Sequence, residues 1–150
     1  MSKLNRAHKV ALLKAVPMFQ GLSQRQLNAI AKEAYERKVA AGVTVAKQGT
    51  PGKEFFIIAD GNLHIELNGV LVRTLSQGHF FGEVSLIDGR LRSASVIAQT
   101  PATLVCLHAQ SFGALLREVP GLSDKVMLSL CRYLRRAEAA LAECSQRLAR

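Results

Sequence analysis

Apolar residues first repeat at helical spacing. In GLSQRQLNAIAKEAY, residues 21–35, Leu27, Ile30, Ala31, Ala34 and Tyr35 share one helix face, and Ser23 with Gln26 three positions on forms a capping box. From Arg37 to His108 the period changes. Short β-prone runs follow one another, ERKVA, VTVAK, EFFIIA, NLHIEL, VLVRTL, SASVIA and TLVCLH, with glycines at 42, 49, 52, 61, 69, 78 and 82. Many short strands broken by glycine turns predict a β-roll or sandwich. In NLHIEL, Leu63, Ile65 and Leu67 alternate with Asn62, His64 and Glu66, which sets His64 on the solvent face.

Helical spacing returns after the strands. A helix in HAQSFGALLREVPG ends at the Pro120-Gly121 break, and Ser123 is placed to cap a final one. Along that last segment Met127, Leu130, Leu134, Ala137, Leu141, Cys144 and Leu148 recur at alternating steps of three and four. Such a heptad-type seam fits a helix that pairs with its twin in a homodimer through residues 127–148, or one that lies along its own domain. The whole chain, 1–150, reads as a single domain. Residues 1–35 are N-terminal helices, 36–109 the β-roll and 110–150 the C-terminal helices.

Composition narrows the function. The 150 residues are 49% hydrophobic, enough for a real core, yet no apolar run approaches the roughly 20 residues of a membrane span. The N-terminus sets Lys3, Arg6, Lys9 and Lys14 around short apolar pieces and has no secretory core, so a cytoplasmic location is expected. The net charge of +9 divides into +4 over residues 1–14, +2 over 15–121 and +3 over 122–150. That excess in the flanks suits helical arms touching an acidic partner better than a basic groove across the domain. Cys106, Cys131 and Cys144, spaced by 25 and 13, make neither a metal knuckle nor a CxxC pair, and reduced, mostly buried thiols are expected. His8, His64, His79 and His108 are scattered and accompany no nucleophile motif, so no enzyme, metal site or cofactor is expected. GTPGK at 49–53 has two residues between its glycines where a nucleotide P-loop needs four, with Glu54 following.

One stretch carries chemistry. In FGEVSLIDGRLRSASV, residues 81–96, Gly82 permits close backbone approach to a ligand, and the short turn EVSLI points its first amides one way, as an anion cradle does. Arg92 follows Glu83 by nine residues, a separation that lets a loop fold back and bring a guanidinium to the same phosphate. Glu83 would repel a phosphate and instead accepts hydrogen bonds from hydroxyls such as those of a ribose. Phosphate and ribose together mean a nucleotide. Arg90 is a solvated loop charge with no ligand role, and the plainest alternative for Glu83 and Arg92 is a surface salt bridge in a domain that has lost binding.

The stretch GHFFGEVSLIDGRLRSASVIAQT resembles the phosphate-binding cassette of cyclic nucleotide-binding domains. VPMFQGLSQRQLNAIA is similar to that family's N-terminal helical lead-in, AAGVTVAKQGTPGKEFFIIADGNLHI to its early strands and SFGALLREVPGL to its closing helix. The resemblance is to a stand-alone bacterial-type domain related to the sensor domain of the catabolite activator protein. It implies a mainly β fold with flanking helices: an eight-stranded, jelly-roll-like double-stranded β-helix, an N-terminal helical bundle, a cassette helix and a C-terminal hinge or lid helix. The implied ligand-binding set is Phe81, Gly82, Glu83, Val84, Ser85, Arg92, Ser93 and Ala94. Glu83 and the Gly82 backbone would bind the ribose 2'-hydroxyl, and Arg92 the cyclic phosphate, supported by the Ser85 amide and by Ser93. Leu91 stands where proline is usual and Ser85 where alanine is common. A hydroxyl beside the arginine, as at Ser93, occurs in cyclic GMP-selective members and in bacterial cyclic AMP binders; cyclic AMP is the favoured ligand and cyclic GMP the alternative.

The implied activity is a receptor module. Nucleotide binding would reposition the final helix, with Tyr133, Leu134 or Arg136 closing over the base, and so alter a surface seen by an unidentified protein partner. Two other readings belong to different classes. One is a nucleic-acid-binding regulator using the basic flanks, against which residues 122–150 offer no room for a helix-turn-helix; the other is a ligand-free scaffold that only dimerises.

Overall fold

The computed structural model describes residues 4–150, so that Lys3, counted above among the N-terminal charges, lies outside the described residues. Helix α1 (Arg6–Ala15) begins where the Asn5 side chain accepts from the His8 N–H. A 3-10 turn (Pro17–Phe19) leads to α2 (Gln24–Glu33), where both bonds of the Ser23/Gln26 capping box are made. Helix α2 stops earlier than the apolar spacing predicts. Ala34 is already extended, with ψ 144°, and Tyr35 opens the first strand. Pairing of Tyr35 with Cys106 across the sheet captures the end of the helical pattern.

Eight strands follow: β1 (Tyr35–Val39), β2 (Thr44–Ala46), β3 (Glu54–Asp60), β4 (Leu63–Leu67), β5 (Val70–Leu75), β6 (Phe80–Phe81), β7 (Ser95–Ala98) and β8 (Ala102–His108). They form two antiparallel sheets in the orders β1-β8-β3-β6 and β2-β7-β4-β5. Every predicted run holds a strand. The two-residue β6 is additional, being too short to show alternation. Strand β3 explains why FFIIA, residues 55–59, is apolar throughout: Phe55 and Ile57 pack towards the helices, while Phe56 and Ile58 fill the space between the sheets. Phe55 stacks on Phe112 at 5.0 Å and meets Phe19 edge-on at 6.4 Å, joining sheet, N-terminal helices and C-terminal helices in one core.

Three expectations are corrected. The His64 side chain is only 16% exposed and bonds Glu66 at 3.0 Å, because β4 is flanked on both sides and Thr74 and Ile97 lie across from His64. Cys106 is buried, but Cys131 and Cys144 are exposed. The last helix is capped by Gly121 rather than Ser123: Gly121 takes φ 80°, and this left-handed turn drops Leu122 directly into the core.

Helices α3 (Glu83–Asp88), α4 (Ala109–Glu118) and α5 (Leu122–Leu148) complete the chain. Helix α5 buries Leu122 and Val126 and partly buries Leu130. Its later turns leave the domain. Met127 is 55% exposed, Leu134 56%, Leu141 68% and Leu148 83%, so the apolar seam does not lie along its own domain.

Candidate functional site

The site forms where α3 and the loop after it meet β3 and the segment 47–53. Gly82 caps α3 in the left-handed region at φ 96°. A Cβ there would stand 2.8 Å from the Glu54 carbonyl oxygen and 2.9 Å from Arg92 Nη1, so only glycine fits. Arg92, 8% exposed, donates from Nη1 to the Gly82 carbonyl at 3.0 Å and from Nη2 to the Glu54 carbonyl at 2.8 Å. Its guanidinium also lies over the Phe56 ring, 5.8 Å from the centroid. With two of five N–H donors held by carbonyls, the remaining edge is oriented and free to meet an anion.

The GTPGK segment holds this arginine in place. The Arg92 N–H donates to the Thr50 carbonyl and the Gly49 N–H to the Arg92 carbonyl, both at 2.8 Å, and Pro51 bridges to Leu91. A Cβ on Gly52 would fall 2.5 Å from the Ser85 Cβ, so this glycine lets the segment press against α3. Glu54 is fixed in turn. Its carboxylate accepts from the Tyr35 hydroxyl, and Tyr35 stacks on His108 at 4.8 Å.

All eight residues Phe81, Gly82, Glu83, Val84, Ser85, Arg92, Ser93 and Ala94 line one cleft of about 190 Å³. Ile65 of β4, Arg73 of β5 and Tyr133 of α5 also stand on its walls, with Ala46, Phe80 and Val96. A second cleft of about 250 Å³ shares Arg73, Phe80, Glu83 and Tyr133 with the first and extends between α5 and the β5–β6 turn. Of the lid candidates, Tyr133 lines both clefts and Arg136 lines the second. Leu134 is on neither wall; it sits on the exposed seam, one residue and about 100° round the helix from Tyr133.

Electrostatics divide the cleft into two functions. Burial pushes the Glu83 carboxyl up, opposed by its own backbone N–H and by the charges of Arg73 and Arg92. Glu83 Oε2 is buried with no hydrogen-bond partner among the described residues, an acceptor suited to a ligand hydroxyl. Burial likewise lowers Arg92, opposed by Glu54 and Glu83, yet a guanidinium keeps its charge at neutral pH. The cleft thus offers both a fixed cation and an open acceptor.

The residues that the sequence reading missed are Gly52, Glu54, Phe56, Ile65 and Arg73. They come from strands or loops far from the cassette, and their types carry no spacing signal. Only the glycine in GTPGK, set aside as a nucleotide loop, hinted at a close backbone approach.

Residues 36–119 match the family described as Cyclic nucleotide-binding domain. A cyclic nucleotide-gated potassium channel of Mesorhizobium japonicum is 34% identical over 113 residues, which cover 75% of this chain and 31% of the channel. The cGMP-dependent protein kinase, isozyme 1, of Drosophila melanogaster is 33% identical over 126 residues, 79% of this chain and 16% of the kinase. The chain therefore spans a third or less of the length of these relatives. Among solved structures, the regulatory domain of Toxoplasma gondii PKA with cAMP superposes with TM-score 0.77 at 25% identity, covering 85% of this chain and 50% of that one. The family match, the roll and the FGE-to-arginine cleft converge: this chain belongs to the cyclic nucleotide-binding domain family.

Proposed function

We propose that the chain is a cyclic nucleotide receptor that binds its ligand between α3, Arg92 and α5. The observation that carries this reading is Arg92 itself: a buried guanidinium, fixed by the Gly82 and Glu54 carbonyls, facing the same cleft as the unpartnered Glu83 oxygen. Arg92 takes the cyclic phosphate and Glu83 the ribose hydroxyl, with Ser93 and the Ser85 amide beside the phosphate. Cyclic AMP is the ligand this reading favours, in keeping with the PKA regulatory domain named above. Calorimetric titration with cyclic AMP and cyclic GMP tests it. Binding that vanishes in Arg92→Ala supports the receptor, and no heat with either nucleotide removes it.

Cyclic GMP is a second reading favoured by Arg73. This donor-only group lines the same cleft as Glu83, Ser93 and Ala94. Guanine presents O6 and N7 acceptors that match a guanidinium fork, whereas adenine turns an amino donor towards it. A titration in which Arg73→Ala lowers affinity for cyclic GMP but not cyclic AMP would establish this role.

The output of the receptor is α5. Tyr133 and Arg136 face the clefts, so a bound nucleotide shifts the helix by whatever difference in affinity it has for two helix positions. The seam on another face of α5 is proposed to pair with a second copy, with a protein partner reading the rearranged surface.

A further inference from the structure

Helix α5 is anchored at one end only. Leu122 and Val126 are buried and Leu130 partly so, and no residue after Leu130 is buried. Tyr133 stands seven residues, about two turns, after Val126 and therefore on the same face. The Arg73 guanidinium carbon of β5 lies 5.1 Å from the centre of its ring. Both side chains line the two clefts together with Glu83, and Arg73 Nε is buried without a hydrogen-bond partner among the described residues. A guanidinium can stack through its flat face while its N–H edge remains free.

We propose that Arg73 is a positioning residue: the face of its guanidinium holds Tyr133, and with it the middle of α5, in front of the nucleotide cleft. Strand β5 is the edge of its sheet, so this contact joins the rim of the roll to the moving helix. A ligand that draws on the edge of Arg73, or on Glu83 beside it, acts on the group that holds the helix. The contact belongs to the protein alone; its effect on ligand affinity rests on the receptor reading.

Hydrogen exchange on the full chain tests it, with β3 and β8 amides as the internal reference. Arg73→Gln and Tyr133→Leu are each expected to speed exchange of amides 131–136 about fivefold, as loss of a cation–π contact to a half-exposed ring would. The double variant should exchange no faster than either single one, and Tyr133→Phe, which keeps the ring, should behave as wild type. Unchanged exchange in Arg73→Gln, or single effects that multiply in the double variant, would overturn the proposal. Should Arg73→Gln also loosen β3 and β8, Arg73→Lys replaces it in the same cycle: coupling to Tyr133 that is smaller than wild type but measurable supports the contact, and none overturns it. In parallel, nucleotide affinity should fall about fivefold in both single variants. If wild type binds neither nucleotide, the receptor reading fails while the exchange cycle still decides the latch.

Discussion

Two glycines at the ends of α3 allow the key geometry to be isolated. Gly82 and Gly89 both sit in the left-handed region, at φ 96° and 69°. A methyl group at Gly89 meets nothing within 4 Å, whereas at Gly82 it meets the Glu54 carbonyl oxygen at 2.8 Å and Arg92 Nη1 at 2.9 Å. Both substitutions to alanine therefore incur the left-handed strain, about 1–2 kcal/mol. Only Gly82→Ala also pushes the arginine off its carbonyls, where charge-assisted hydrogen bonds contribute about 1.5–3 kcal/mol each. Losing about one such bond brings the expected destabilisation to roughly 2.5–5 kcal/mol for Gly82→Ala against about 1–2 for Gly89→Ala. A displaced Arg92 also fails its phosphate, so nucleotide affinity should fall at least about thirtyfold in Gly82→Ala, about 2 kcal/mol at 1.4 per tenfold, and change little in Gly89→Ala. Urea unfolding and calorimetric titration on the two variants measure both quantities. Equal affinities in the two would refute the claim that Gly82 positions Arg92.

Other consequences are open to direct measurement. Because burial raises the Glu83 carboxyl, the folded state holds its proton more tightly than the unfolded state, and stability falls as pH rises from the ordinary glutamate value through the raised one. Glu83→Gln should flatten that slope in urea unfolding across pH, stabilise the protein at neutral pH and weaken nucleotide binding; an unchanged slope would show that the buried charge is not the cause. Arg92→Lys keeps a charge but cannot span the Gly82 and Glu54 carbonyls and a phosphate together, so its affinity should lie much closer to that of Arg92→Ala than to wild type. A parallel pairing of the α5 seam brings Cys144 opposite its counterpart, so mild oxidation should give a covalent dimer that survives Cys131→Ser and disappears in Cys144→Ser, as read by non-reducing electrophoresis.

What could be read from the sequence followed local periodicity. The capping box at Ser23 and the short FGE turn are local patterns, and both hold in the fold, whereas the alternation along β4 does not separate a buried face from a solvent face. Tyr35 and Ser123 were misplaced because distant partners decided them: Cys106 claims Tyr35 for the sheet, and burial of Leu122 through a left-handed Gly121 moves the helix start ahead of Ser123. The cleft divides in the same way. Residues 81–85 and 92–94 lie in one contiguous stretch whose types declare their chemistry, and they come together on one wall. Arg73, by contrast, sits in VLVRTL as one more polar residue in an alternating strand. Nothing short of the fold reveals that β5 carries it to Tyr133, or that the Glu54 main chain is the second anchor of Arg92.

The two roles expected of α5 prove geometrically compatible. At about 100° per residue, Ser129, Arg132, Tyr133 and Arg136 centre about 120° round the helix from the seam that runs from Met127 to Leu148. A helix facing the clefts with the first set can therefore offer the second to another helix, which removes the choice between lid and dimer seam. The same geometry couples them. Any rotation of α5 that improves contact with a bound nucleotide turns the seam through an equal angle, and knob-into-hole packing tolerates little rotation before its contacts are lost. Linkage then requires reciprocity: with one site per protomer, a nucleotide that changes the dimer constant by some factor must bind the dimer and the monomer with per-site affinities whose ratio, squared, equals that factor. Sedimentation with and without nucleotide, set beside titrations at low and high protein concentration, measures the two sides of that equality independently. A shift in one without the other would mean that α5 is not the element connecting cleft and seam.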